Sequence, residues 1–358
     1  MQSAKIGVLV VDDSLFMRTL ISDMLNSDPE IEVIDTAKDG KEAIKKIPKI
    51  KPDCITLDLA MPVWDGFTTL KHIIDEYPTP VVILSAYSKK DADITMKCLD
   101  AGAVGFVLKP SGELSLDIKG VKHQLLEEVK AASTVNVGKI KSLIAKKPKR
   151  RRRKLIGINK MVIIGASTGG PQTLELILSS LPIDFSAPII VVQHMPTVFF
   201  TKSLAEHLNH NCGLKVKVME NNETIQPGTV YLIPSGFRWT LIQVDREYVK
   251  SYLGIEDSNI LSPSINLAMK TLAQIYSENV VGIILSGMGE DGVEGMKAIK
   301  EAGGKTIVQD ESSVIFGMPK AVIDAGYADK VLSASKMAGA IMNSIEERVR
   351  KIPRTQAC

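Results

Sequence analysis

The chain reads as an α/β protein of two domains: an N-terminal five-stranded doubly wound parallel sheet, then a larger, mainly parallel sheet with an antiparallel hairpin. Three observations predict this. Short apolar runs alternate with amphipathic stretches in both halves. The runs are apolar on both faces, as strands of a parallel sheet covered by helices must be. The alternation breaks once, across about 132–158, which divides the 358 residues into two cores of ordinary size.

In the first half the strand candidates are 6–11, 31–37, 54–57, 81–84 and 104–108. Between the first two, Phe16, Leu20 and Met24 recur every fourth residue, as do Met17, Ile21 and Leu25, which marks a helix with one buried face. Asp65-Gly66 opens a further helix along Phe67, Leu70 and Ile74. The next stretch loses periodicity at 133–138 and ends in a run of like charge at 146–154, which repels itself and reads as linker. In the second half, 161–164, 189–192, 230–233, 280–285 and 306–308 are the strands expected. The helices expected are 171–178, 203–208, 264–275, 293–301 and 335–349, and residues 240–252 read as a hairpin. The domains are thus 5–125 and 158–348, with 126–157 between them.

The overall charge of +3 misleads, because eight basic residues lie in 146–154, where only Pro148 is uncharged. Removing them leaves 36 basic against 41 acidic side chains. No apolar run reaches the roughly 18 residues of a membrane span, and the N-terminal run ends after six residues at Asp12 and Asp13, which argues against a signal peptide. Cys54, Cys98, Cys212 and Cys358 have no metal or disulfide spacing, so a reduced cytoplasm is expected.

Ligands of a doubly wound sheet bind beyond the carboxyl ends of its strands. There the first domain has Asp12 and Asp13, Asp58, Ser85, and Lys109-Pro110. Singly, each is an ordinary solvated loop start. Together, three converging carboxylates repel unless a cation joins them, and an oxygen-only set suits Mg²⁺. A lysine and a hydroxyl alongside can hold a phosphoryl group.

Val10-Val11-Asp12-Asp13-Ser14, Asp58-Leu59-Ala60-Met61-Pro62 with Asp65-Gly66, Ser85-Ala86 and Lys109-Pro110 resemble a two-component response-regulator receiver domain across 5–125. The resemblance implies that Asp58 accepts phosphate from a histidine kinase while Asp12, Asp13, Asp58 and the Ala60 backbone carbonyl bind Mg²⁺. It also implies that Lys109 contacts the phosphoryl group and that Ser85 and Phe106 move on activation. Ala60 departs from relatives that often carry an acid there.

In the second domain, Gly165-Ala166-Ser167-Thr168-Gly169-Gly170-Pro171 follows an apolar strand and opens a helix. A G-x-S-x-G turn can expose a nucleophilic serine, and equally a glycine-rich turn can bind phosphate at a helix N-terminus. A nucleophilic serine needs a base, and of His72, His123, His194, His207 and His210, only His194 follows a strand of this domain. His207 and His210 read as solvated imidazoles on a surface helix. Ser286-Gly287-Met288-Gly289-Glu290-Asp291-Gly292 ends a third strand, and Asp291 reads as the orienting acid or as a helix N-cap.

Residues 164–170, Gln193-His194-Met195-Pro196, 285–292, Gln309-Asp310-Glu311 and Phe316-Gly317-Met318-Pro319 resemble the catalytic domain of the chemotaxis protein-glutamate methylesterases. Asn266 departs from an aspartate common at that position, a change that bears on a domain contact and lies outside the triad. The resemblance implies hydrolysis of glutamyl methyl esters and deamidation of glutamines on methyl-accepting chemotaxis receptors. Ser167, His194 and Asp291 would form the triad, the Thr168 and Met288 N–H groups the oxyanion hole, and no metal or cofactor would serve the ester chemistry. It also implies a cytoplasmic enzyme recruited to membrane receptors and restrained by its unmodified receiver. Two rival readings remain: nucleic-acid binding through 146–154, which lacks a recognition helix or aromatic pattern, and a non-catalytic phosphate binder built on the glycine turn. The basic run could also contact an acidic receptor surface or lipid headgroups.

Overall fold

The computed structural model describes residues 5–110, 118–138, 140, 160–243, 249–255 and 263–346. The chain forms two compact units, Met1–Ala145 and Lys146–Cys358. The basic run 146–154, the end of the helix expected at 335–349 and the C-terminal tail lie outside the described residues.

The first unit runs β1 (Ile6–Val11), α1 (Leu15–Asn26), β2 (Ile31–Ala37), α2 (Gly40–Ile50), β3 (Cys54–Asp58), α3 (Gly66–Glu76), β4 (Val81–Ser85), α4 (Lys89–Asp100), β5 (Gly105–Leu108) and α5 (Ile118–Ser133). Its sheet is parallel throughout, in the order β2-β1-β3-β4-β5. All residues of β3 and β4 are buried, the consequence of helices on both faces. Ser14, Asp39, Asp65 and Ser88 each accept a backbone N–H of the helix they precede, which sets where the helices begin. Because the chain leaves β1 in opposite directions, the switch point falls between β1 and β3.

The second unit continues with β6 (Met161–Ala166), α6 (Gly170–Ser180), β7 (Ile189–Gln193), α7 (Val198–Asn211), β8 (Lys215–Val218) and β9 (Thr229–Leu232). Then come β10 (Phe237–Gln243), β11 (Val249–Ile255), α8 (Ile265–Tyr276), β12 (Val280–Ile284), α9 (Val293–Glu301), β13 (Lys305–Gln309), α10 (Met318–Asp324), β14 (Lys330–Leu332) and α11 (Ala334–Glu346). Seven strands form a parallel sheet ordered β14-β13-β12-β6-β7-β9-β8, and β10 pairs antiparallel with β11 as the expected hairpin. The switch point lies between β12 and β6.

Strands β8 and β14 and helix α10 were not anticipated from the sequence. Both strands are short sheet edges carrying lysines (Lys215 and Lys217, Lys330), so they lack a long apolar run. Helix α7 extends well beyond the expected 203–208, because Thr197 caps it and Phe200 starts its buried face. Cys54, Cys98 and Cys212 are buried free thiols, and burial pushes Cys98 up to about 12.

One packing contact governs the first unit's reactive edge. A Cβ on Gly66 would stand 2.2 Å from the Asp58 carbonyl oxygen and 2.7 Å from the Leu59 Cα. Neither backbone atom can step aside without moving the strand end. Gly66→Ala is therefore expected to destabilise this unit by about 1–3 kcal/mol, as overpacking does. Calorimetry should show its melting a few degrees lower; an unchanged transition would mean that α3 shifts freely.

Candidate functional sites

The edge of the first unit gathers the acidic residues. Asp12 is wholly buried, Asp58 is 3% exposed and Asp13 is exposed. One carboxylate oxygen from each lies within 4.8 Å of the others. The Lys109 ammonium bridges Asp12 at 2.6 Å and Asp58 at 2.8 Å. Burial pushes the Asp58 carboxyl above the ordinary range although Lys109 opposes it. Burial alone would lower Lys109, but the two carboxylates outweigh it and hold the ammonium above its ordinary value. The Ser14 N–H donates to Asp12 Oδ1 at 2.9 Å, the Ala60 N–H to Asp58 Oδ1 at 3.2 Å, and Arg18 donates to the Asp12 carbonyl at 2.6 Å. Arg18 had not been singled out from the sequence.

This all-oxygen donor set, crowded and partly buried, fits a small divalent cation such as Mg²⁺. Ser85 lies at the end of β4, fully buried, with its hydroxyl 2.9 Å from that of Thr95 on α4. Phe106 is half-buried on β5, opposite Ile83.

In the second unit, Ser167 and His194 directly follow adjacent strands. Ala166 pairs with Gln193 in register, and the His194 N–H donates to the Ala166 carbonyl at 3.0 Å. Neighbouring strands run about 4.8 Å apart, so the two residues start next to each other at the same edge of the sheet. His194 Nε2 lies 2.9 Å from Asp291 Oδ2. Among the described residues the Ser167 hydroxyl makes no hydrogen bond and the Met288 N–H has no acceptor.

Asp291 is held from a second direction. Its Oδ2 accepts the Ile265 N–H at 2.8 Å and its Oδ1 the Asn266 N–H at 2.9 Å. It thus takes the first two N–H groups of α8, a helix distant in sequence whose cap residue is Ser264, while Gly292 occupies the cap position of its own helix α9. Burial raises the Asp291 carboxyl, but the imidazole and these two N–H groups outweigh it and leave it below the usual carboxylate range. Asn266, read from sequence as a domain-contact position, belongs to this network. Its Oδ1 accepts the N–H of Gly292 at 3.0 Å and of Gly295 at 2.7 Å.

The serine turn is braced by buried polar groups that lie in the sequence motifs above but had no role assigned from sequence. All polar groups of Ser286 are engaged, two of them on the turn: its carbonyl accepts the Ser167 N–H and its hydroxyl donates to the Thr168 carbonyl at 2.6 Å. Its hydroxyl also accepts from the Ile315 N–H, and its own N–H donates to Gln309 Oε1. Gln193 donates to the carbonyls of Ser167 at 2.9 Å and His194 at 3.1 Å. Gly169 takes φ +73°, and a Cβ there would meet Val314 Cβ at 2.5 Å, so the turn is closed to other residues. His207 is half-buried, 3.1 Å from Glu175 Oε2, and not the solvated imidazole expected, because α6 packs beside α7.

Comparison with known proteins agrees with both halves. The response regulator receiver domain family matches residues 8–118 and the CheB methylesterase family residues 162–341. The class is therefore a response regulator with a hydrolase as its output. A protein-glutamate methylesterase/protein-glutamine glutaminase of Caldanaerobacter subterraneus subsp. tengcongensis is 42% identical over 97% of this chain and 98% of its own. One from Archaeoglobus fulgidus is 43% identical over 96% and 99%. The solved Thermotoga maritima CheB methylesterase catalytic domain is 42% identical, matching 53% of this chain and 99% of its own with a TM-score of 0.50. The chain belongs to the protein-glutamate methylesterase/protein-glutamine glutaminase family and is a hydrolase with both activities. No helix among the described residues is long and apolar enough to cross a membrane.

Proposed function

We propose that this protein removes methyl groups from glutamyl esters, and deamidates glutamines, on methyl-accepting chemotaxis receptors, using Ser167 as nucleophile under the control of Asp58 phosphorylation. The observation that carries the reading is the His194–Asp291 pair, 2.9 Å apart, at the strand end beside Ser167. With Nε2 engaged by Asp291, Nδ1 is the nitrogen available to take the Ser167 proton. Oγ attacks the γ-carbonyl carbon, the carbonyl electron pair moves onto oxygen, and the N–H groups of Thr168 and Met288 receive that charge. The imidazolium, stabilised by Asp291, then protonates the leaving methoxide. Water, deprotonated by His194, attacks the acyl-serine; the bond to Ser167 Oγ breaks, the imidazolium returns the proton to that oxygen, and glutamate is released. A glutamine side chain follows the same course and releases ammonia.

In the receiver unit Asp12, Asp13, Asp58 and the Ala60 carbonyl would hold Mg²⁺, which when bound neutralises phosphoryl charge during transfer from a histidine kinase. Asp58 supplies the accepting oxygen, and Lys109 moves its charge from the two carboxylates to the phosphoryl group. Ser85 and Phe106 would respond to that change. The receptors being membrane proteins, the enzyme acts in the cytoplasm and at their cytoplasmic surface.

The test is methanol release from methylated receptor membranes, with and without a small phosphodonor and Mg²⁺. Release should rise several-fold with the donor. Asp58→Asn should retain basal release and lose the whole response. Release equal with and without donor in the parent protein would remove the regulatory half of the reading.

A further inference from the structure

The buried amide of Gln193 sits between the two strand ends that carry the reactive side chains. Its Nε2 has two hydrogens and both are used, one on the Ser167 carbonyl and one on the His194 carbonyl. The Ser167 carbonyl also accepts the Gly170 N–H at 2.8 Å, so both of its lone pairs are engaged. In a trans peptide the C=O of one residue and the N–H of the next point in opposite directions. Holding the Ser167 carbonyl against Gln193 therefore turns the Thr168 N–H to the other side of the peptide plane.

Two further facts argue that the donor, and not the bulk of the side chain, is what this position needs. Gln193 Oε1 is buried without a hydrogen-bond partner among the described residues, a penalty that an apolar side chain of the same size would avoid. The space for Oε1 also depends on residue 170 being glycine, since a Cβ there would stand 2.2 Å from it. We infer that Gln193 is a positioning residue of the esterase site, holding the Ser167–Thr168 peptide so that the Thr168 N–H meets the developing oxyanion and tying that peptide to the backbone of His194. This inference rests on the serine-esterase reading above.

The experiment uses the full-length protein. Kinetics of methanol release are measured beside the affinity of a trifluoromethyl ketone analogue of the glutamyl ester. That ketone adds the serine oxygen to its carbonyl carbon and carries an oxyanion in the adduct. Gln193→Met keeps the volume and removes the donor. It should lower kcat about a hundredfold, the scale of losing one oxyanion donor. KM should stay within about threefold, and ketone affinity should fall by the same factor as kcat/KM. Gly170→Ala, whose Cβ displaces the amide, should give the same pattern, and it decides the question if Gln193→Met does not fold.

A kcat within threefold of the parent, a loss confined to KM, or unchanged ketone affinity would overturn the inference. Ser167→Ala serves as the dividing control. If that variant still turns over, the esterase reading and the role of Gln193 fall together. If it is inactive while Gln193→Met is normal, only the role of Gln193 falls.

Discussion

Ser167→Ala is expected to lower methanol release by about five to six orders of magnitude while leaving the protein folded. The size follows from what the hydroxyl does in the proposed mechanism: without it no acyl-enzyme forms, and only the donors and the bound geometry remain. The fold should be indifferent. The Ser167 hydroxyl makes no hydrogen bond among the described residues, and the contacts that brace the turn run through backbone atoms that alanine retains. Thermal unfolding should therefore shift by no more than about 0.5 kcal/mol. Turnover within tenfold of the parent in a folded sample would take Ser167 out of the mechanism. A fluorophosphonate that labels the parent and not this variant would locate the nucleophile independently of the substrate.

Asp291→Asn is expected to cost about four orders of magnitude in kcat, and unlike the serine variant it should also weaken the fold. The carboxylate accepts three hydrogen bonds, from His194, Ile265 and Asn266. An amide offers one oxygen and one NH₂. With the oxygen toward His194 and Ile265, its NH₂ faces the Asn266 N–H. Turned over, the NH₂ faces His194 and drives the ring to the wrong tautomer. Leaving one buried donor unmet costs about 1–3 kcal/mol. The pH dependence follows from sign. Asp291 titrates below its ordinary value of 3.8 in the folded protein, so its contribution to stability is present above that pH and is lost as pH falls through the folded value. The parent should lose stability on acidification through this range more steeply than Asp291→Asn, read from urea midpoints. Parallel curves would show that the network does not depend on the charge.

How much of this was legible beforehand differs between elements. The β1, β3, β4 and β6 runs announce themselves because both faces of each strand are buried, leaving a continuous apolar stretch that no solvated loop would carry. Edge strands β8 and β14 escaped for the converse reason: one flank meets solvent, lysines protect it, and the apolar signal shrinks to two residues. His207 was misread because its own helix looked amphipathic, while the Glu175 that pairs with it lies 32 residues away.

The sequence by itself determined which side chains stand at the carboxyl ends of the central strands, and so the acidic edge Asp12, Asp13, Asp58, Lys109 and the residues Ser167 and His194, whereas Asp291, well past the end of β12, stayed open between orienting acid and helix cap. Local pattern suffices there, since a strand's end and the residue after it are adjacent along the chain. Only the tertiary structure decided how those groups are held: which imidazole nitrogen meets Asp291, that Asp291 takes the first N–H groups of α8, that Ser286 and Gln193 brace the serine turn, and that Asn266 holds the start of α9. Hydrogen bonding acts over about 3 Å in space regardless of separation along the chain. Apart from Gln193 and its neighbour His194, these partners lie 23 to 118 positions apart. A buried serine or glutamine therefore looks the same in a sequence whether it fills space or aims a peptide bond.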